Sequence, residues 1–275
     1  MDRLFTLLQS AGSLYSYAGM NAMAGVRTIT VKNHCDITVW PGIFTAGDSV
    51  PDYPTGWEAA PGTSVSFTVP DDWTAGRIWG RTDCDFNRSV DGSTACVTGS
   101  CIGGLECAVS RGMVNNGRSW PFGVEPQAIP PVTVAEWNLS GDERADRYYV
   151  SLVEGFNLPM EITNSASCSI ASCPADLNTD CPSELVPPTA SSELLVGCMS
   201  AYDAGLLDNI SDFSTGYNGS RNIAERYPSS NVPYYEYFKQ NCPDAYIFEQ
   251  GEDSNTALFA CDSSLSVDYT LTFCP

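Results

Sequence analysis

Apolar and polar residues alternate with period two along several stretches of this chain. Ile29 and Val31 alternate with Thr28, Thr30 and Lys32, and Val65, Phe67 and Val69 alternate with Ser64, Ser66 and Thr68. Near the end, Val267, Tyr269, Leu271 and Phe273 alternate with Ser266, Asp268, Thr270 and Thr272. Successive side chains of a strand point to opposite faces, so each stretch predicts a half-buried strand with one apolar face. Val132 and Val134 start another strand, and Tyr148 to Val153 reads as a more fully buried one. Such a series predicts an antiparallel sandwich or barrel, an all-β fold. The alternation fades over residues 166–244, where Cys, Pro, Ser and Asp dominate. One short helix is predicted there from Pro233 to Gln240, with Tyr234, Tyr237 and Phe238 sharing a face, and another near Glu193 to Tyr202. This stretch reads as a loop-rich excursion with too little core of its own. The expected division is a sheet core over about 26–165 and 245–275, with a lobe over about 166–244.

Cysteine changes that picture most. There are twelve, none before Cys35, and the last, Cys274, adjoins the C-terminal Pro275. With a single histidine, His34, and no paired C-x-x-C knuckles, a zinc site is poorly supported. An even count with short spacings at Cys96, Cys101 and Cys107 points to a disulfide framework, and so to an oxidising, extracellular compartment. Cys35 and Cys274 follow the first and last strands, so a bridge between them would clamp the two ends together. Bridges of roughly 2–4 kcal/mol each would hold a lobe that lacks a core.

The formal net charge is −20, from 33 acids against 13 bases. A field of that sign repels nucleic acid and anionic membranes but not a neutral polymer. No run of 18 apolar residues occurs, so no membrane-spanning helix and no stable membrane insertion are expected. Residues 1–25 resemble a signal peptide with an overly polar middle, or else a misplaced start; Ala22-Met23-Ala24 has the small-x-small form of a cleavage site. Asn87, Asn138, Asn209 and Asn218 head Asn-x-Ser sequons and are candidate glycosylation sites. No phosphate-cradling glycine loop or calcium loop is present, and no cofactor or metal is expected. A Ser-His-Asp triad would need His34, which reads as a surface residue of the first strand.

Several long segments then narrow the reading. Gly76-Arg77-Ile78-Trp79-Gly80-Arg81-Thr82-Asp83-Cys84-Asp85-Phe86, followed by Cys96, Thr98-Gly99-Ser100-Cys101 and Gly103-Gly104-Leu105-Glu106-Cys107, resembles the signature of the thaumatin-like family. So do Ser151-Leu152-Val153-Glu154-Gly155-Phe156-Asn157-Leu158-Pro159-Met160, Asn33 to Trp40, Cys242-Pro243-Asp244-Ala245-Tyr246 and the closing Thr272-Phe273-Cys274-Pro275. The wording is closer to fungal than to plant members. The resemblance implies a flattened antiparallel β-sandwich with a disulfide-rich lobe of loops and short helices, and a cleft between them. It implies the pairs Cys35–Cys274, Cys84–Cys96, Cys101–Cys107, Cys168–Cys261, Cys173–Cys242 and Cys181–Cys198. The family usually has more cysteines than the twelve here, and the missing ones belong to the lobe.

The resemblance also implies a site. Family members line the cleft with an arginine and four carboxylates, which fall here on Arg77, Glu136, Tyr149 in place of an Asp, Glu154 in place of an Asp, and either Glu252 or Asp253. Glycoside hydrolysis needs two carboxyl groups flanking the scissile bond. The expected pair is Glu136 as acid and Glu154 as base or nucleophile, with Arg77 orienting a carboxylate or a sugar hydroxyl. Trp137, Trp120 and Phe122 are candidate sugar platforms, the last two in a segment of about 108–131 that either rims the cleft or is a plain surface insertion. In a chain this acidic the same carboxylates can equally be solvated side chains, and Arg77 an internal ion-pair partner. The implied function is secreted, monomeric binding of a cell-wall β-1,3-glucan with weak endo-β-1,3-glucanase activity. The alternative is a non-catalytic defence or enzyme-inhibitor protein acting through protein or membrane contacts. Whether the chain is an enzyme is left open at this level.

Overall fold

The alternating stretches become strands. The computed structural model describes residues 25–47, 49–89, 91–108, 128–140, 144–188, 197–207, 231–248 and 257–275. Residues 1–24, Asn209, Asn218, Glu252, Asp253, Trp120 and Phe122 therefore lie outside the described residues. In chain order the strands are β1 (Val26–Asn33), β2 (Val39–Thr45), β3 (Ser64–Pro70), β4 (Gly76–Thr82), β5 (Val134–Asn138), β6 (Ala145–Ser151), β7 (Met160–Asn164), β8 (Ala171–Cys173), β9 (Ala245–Tyr246), β10 (Phe259–Asp262) and β11 (Tyr269–Phe273). Five form a sheet in the order β3-β1-β11-β7-β8, and five more run in the order β10-β6-β5-β4-β2. The second sheet gains a sixth strand, β9, paired to β6 through Val150 and Ser151.

Both sheets are mixed rather than purely antiparallel. β1 runs parallel to β11, and β9 runs parallel to β6. The first departure has a simple cause. Cys35 and Cys274 each lie just beyond the C-terminal ends of β1 and β11, and their disulfide draws those two ends together. No hairpin joins these strands, so nothing forces them to oppose.

The inward faces of the two sheets share one core. Ile29 and Val31 of β1, and Tyr269, Leu271 and Phe273 of β11, meet Ile78 of β4, Ala135 and Trp137 of β5, and Tyr148 and Val150 of β6. Arg27 continues the inward series of β1 and is buried, which the alternation of Ile29 and Val31 did not reveal. Its guanidinium lies 3.2 Å from Asp146 Oδ2 on β6, and the Tyr269 hydroxyl donates to the same oxygen at 3.1 Å. The Ser140 N–H satisfies Oδ1 at 2.9 Å. A buried charge tolerates its site only when paired and hydrogen-bonded, and these contacts supply both while tying one sheet to the other.

The loop-rich stretch contains β8, a 3-10 turn at Ser183–Leu185 and helix α1 (Tyr235–Asn241). The helix buries Phe238, while Tyr234 and Tyr237 pack half-buried against the core. It begins two residues after Pro233, because Tyr234 sits at φ 62°, outside helical space. Seven residues make a marginal helix. Its end is pinned by the Cys173–Cys242 bridge to β8. The helix expected near Glu193 to Tyr202 does not appear in its described part. Cys198 and Phe156 exchange two backbone hydrogen bonds, at 2.8 and 2.7 Å, and a turn comes next. That pairing holds the backbone extended. Six disulfides close, joining the pairs that the family resemblance implied.

Candidate functional site

The outward face of the six-stranded sheet is divided in two. Over one part, Trp79 and Val134 pack with Phe44, Val132, Ala128 and the Cys101–Cys107 bridge into a second, smaller core. The cysteine loop thus covers that part. Beside it stands a row set by strand register: Arg77 of β4 opposes Glu136 of β5, and Glu136 opposes Tyr149 of β6. All three are half-buried.

The row is bonded across its width. Arg77 Nε donates to Glu136 Oε2 at 3.0 Å, and the Tyr149 hydroxyl donates to the same oxygen at 3.1 Å. Arg77 Nη1 lies 3.6 Å from Glu154 Oε1. One guanidinium therefore faces two carboxylates. Burial first, and the neighbouring Glu136 second, push the Tyr149 phenol far above its ordinary range, so it stays a neutral donor. Its ring packs against Tyr246 of β9, with centroids 5.3 Å apart.

Glu154 arrives from a turn rather than a strand. β6 stops at Ser151, short of the expected Val153, because the Gly155 N–H bonds back to the Leu152 carbonyl. Gly155 has φ +84°, and a Cβ there would fall 2.5 Å from the Cys198 carbonyl oxygen, so the position demands glycine. The Val132 N–H holds the Glu154 carbonyl at 2.9 Å. Asn157, almost fully buried, locks the C-terminal side of this turn in place. It accepts from the Thr133 N–H, and its own Nδ2 donates to the Gly80 carbonyl and to Thr98 Oγ1. The Glu-Gly-Phe-Asn segment is thus a device for fixing Glu154 beside β4 and β5.

The structure brings together Arg77, Glu136, Tyr149 and Glu154. It does not bring Trp137 to them. Trp137 follows Glu136 on β5 and therefore points to the opposite face, where it stacks on Trp73 and has no exposed surface. A sugar cannot reach it; Trp137 is a core residue. Tyr246 was missed as a member of the site, although it closes the Cys242-to-Tyr246 segment. Arg81 was missed as well. It leaves the same face of β4 as Arg77 but lies wholly buried beneath the cysteine loop, donating to the carbonyls of Trp40, Pro41, Gly104 and Leu105. Burial lowers its pKa to about 10. Among the sequons, Asn87 is exposed, and Asn138 is half-buried with its Oδ1 accepting from the Ala75 N–H. His34 is exposed just beyond β1. Among the described residues, no group of three His, Cys, Asp or Glu side chains is arranged to hold a metal, and no helix is long and apolar enough to cross a membrane.

Comparison with known proteins adds context to this geometry. The model of the Thaumatin family matches residues 33–275. A pathogenesis-related thaumatin-like protein 3.5 of Cryptomeria japonica is 38% identical over 255 residues, covering 92% of this chain and 91% of its own. A Prunus avium protein named glucan endo-1,3-beta-glucosidase is 34% identical over 281 residues, covering 100% of both chains. A solved structure of the thaumatin-like xylanase inhibitor TLXI covers 90% of this chain and 99% of its own, at 21% identity and a TM-score of 0.41.

Proposed function

The chain belongs to the thaumatin family, and from that premise we propose that it is a secreted, wall-directed protein that binds a β-1,3-glucan at the Arg77–Glu136–Glu154 cluster, with weak hydrolysis at most. One observation carries the reading. An arginine and two carboxylates are gathered on a sheet face beside the part that the cysteine loop covers, in a chain whose full-length Prunus avium relative is named a glucan endo-1,3-beta-glucosidase. Six disulfides suit an oxidising, extracellular setting. The Cryptomeria japonica relative's pathogenesis-related name favours defence as the purpose of binding.

The chemistry favours binding over turnover. A sugar hydroxyl both donates and accepts, so it pairs with an acceptor-only carboxylate and a donor-only guanidinium side by side. Hydrolysis asks more: one carboxyl group must carry a proton to the leaving oxygen while a second acts on water or the anomeric carbon. Glu136 Oε2 already accepts two donated hydrogens, so that oxygen is committed as an acceptor.

Retention on insoluble β-1,3-glucan tests the reading. The wild-type protein is expected to be retained and Glu136→Gln to bind roughly tenfold more weakly, as for the loss of a charge-assisted hydrogen bond. Release of reducing ends from soluble glucan is expected to stay near the Glu136→Gln background. A wild-type protein that passes through unretained overturns the proposal.

A further inference from the structure

We propose that Tyr149 is a positioning residue that fixes Glu136 as the ligand-facing hydrogen-bond acceptor of the site. The proposal rests on the glucan-binding reading and deepens it. The two oxygens of Glu136 have different fates. Oε2 is held from both sides, by Arg77 Nε at 3.0 Å and by the Tyr149 hydroxyl at 3.1 Å. Oε1 accepts none of the hydrogen bonds among the described residues, while the side chain keeps 14% of its exposure. The carboxylate is therefore anchored by one oxygen and offers the other.

Tyr149 is suited to this work because it cannot swing away. It stands on β6 directly opposite Glu136 in the register, and its ring is backed by Tyr246 at 5.3 Å. Tyr246 in turn is held by the pairing of β9 with β6 at Ser151. A phenol also donates without adding charge. An aspartate here, which the family pattern carries, would be a second acceptor beside Glu136: it could not donate to Oε2 unless protonated, and like charges would compete for Arg77. With tyrosine, Arg77 answers two carboxylates rather than three within the described cluster. Tyrosine thus gives the site a fixed acceptor suited to holding a neutral hydroxyl.

A double-mutant cycle of Tyr149→Phe and Glu136→Gln, read on two measurements, tests this. The first is the dissociation constant for a soluble β-1,3-glucan oligosaccharide. Tyr149→Phe keeps the ring and is expected to weaken binding about fivefold in the wild-type background, as for one neutral-donor hydrogen bond, and to change it little in the Glu136→Gln background. The second is the urea midpoint of the ligand-free protein, where the hydroxyl is expected to contribute more with Glu136 present than with Gln. Equal losses of affinity in both backgrounds would make Tyr149 a direct ligand contact and overturn the proposal. So would unchanged affinity with a lowered urea midpoint, which marks a purely structural hydroxyl. If the wild type binds no glucan, both proposals fail; if it binds and Tyr149→Phe binds equally well, only this one does.

Discussion

Arg77 and Arg81 leave the same face of β4 and come to opposite ends. Arg77 keeps partial exposure and meets two carboxylates, whereas Arg81 is sealed beneath the cysteine loop among four backbone carbonyls, its guanidinium 5.3 Å from the Phe86 ring. A planar five-donor fork can serve all four carbonyls at once, whereas an ammonium has only three donors. Arg81→Lys is therefore expected to lower unfolding stability by about 2 kcal/mol in urea denaturation, since it leaves buried carbonyls unpaired. Neither fate was legible from composition, because both depend on what covers the strand. Trp137 was different. The period of two that marks a strand already assigns it to the face opposite Glu136, so its place in the core was readable from adjacency alone.

At the level of elements, β6 concentrates the buried phenols. Tyr148 faces the core and Tyr149 the site, and both resist ionisation: burial and Asp146 push Tyr148 up to about 12, and burial and Glu136 push Tyr149 higher. Tyr269 on β11, which shares Asp146, is raised in the same way. A group with a raised folded-state pKa contributes stability that is complete below its unfolded value and is lost as pH climbs through the folded one. For phenols that window opens near about pH 10. The urea midpoint is therefore expected to fall steeply from about pH 10 towards pH 12, and Tyr148→Phe to flatten the decline. The strands that could be read in advance, β1, β3, β11, β5 and β6, each present a contrast between faces or a long apolar run. β2 and β4 could not, because the shared core covers one face and the smaller core the other, which erases the alternation. The Arg77–Glu136–Tyr149 row was legible only through family resemblance, since cross-strand register is not written in either strand by itself.

For the molecule as a whole, bridge span decides what each disulfide contributes. Cys35–Cys274 encloses 239 residues of separation, and Cys101–Cys107 only 6. By loop-closure entropy the first contributes about 5 kcal/mol and the second about 2 kcal/mol. Replacing Cys35 and Cys274 by serine is expected to lower the unfolding temperature more than the same change at Cys101 and Cys107, as scanning calorimetry would measure. The short bridge should matter instead to the loop over Trp79 and Arg81. The long bridge also governs how the molecule bears tension. A pull applied at Val26 and at Pro275 runs up β1 to Cys35, crosses the sulfur bridge and leaves through Cys274, bypassing everything between. Only about ten residues can then pay out, roughly 35 Å of chain. With the bridge oxidised, the two ends are joined by a short, nearly inextensible link, and reduction turns it into a long, compliant one.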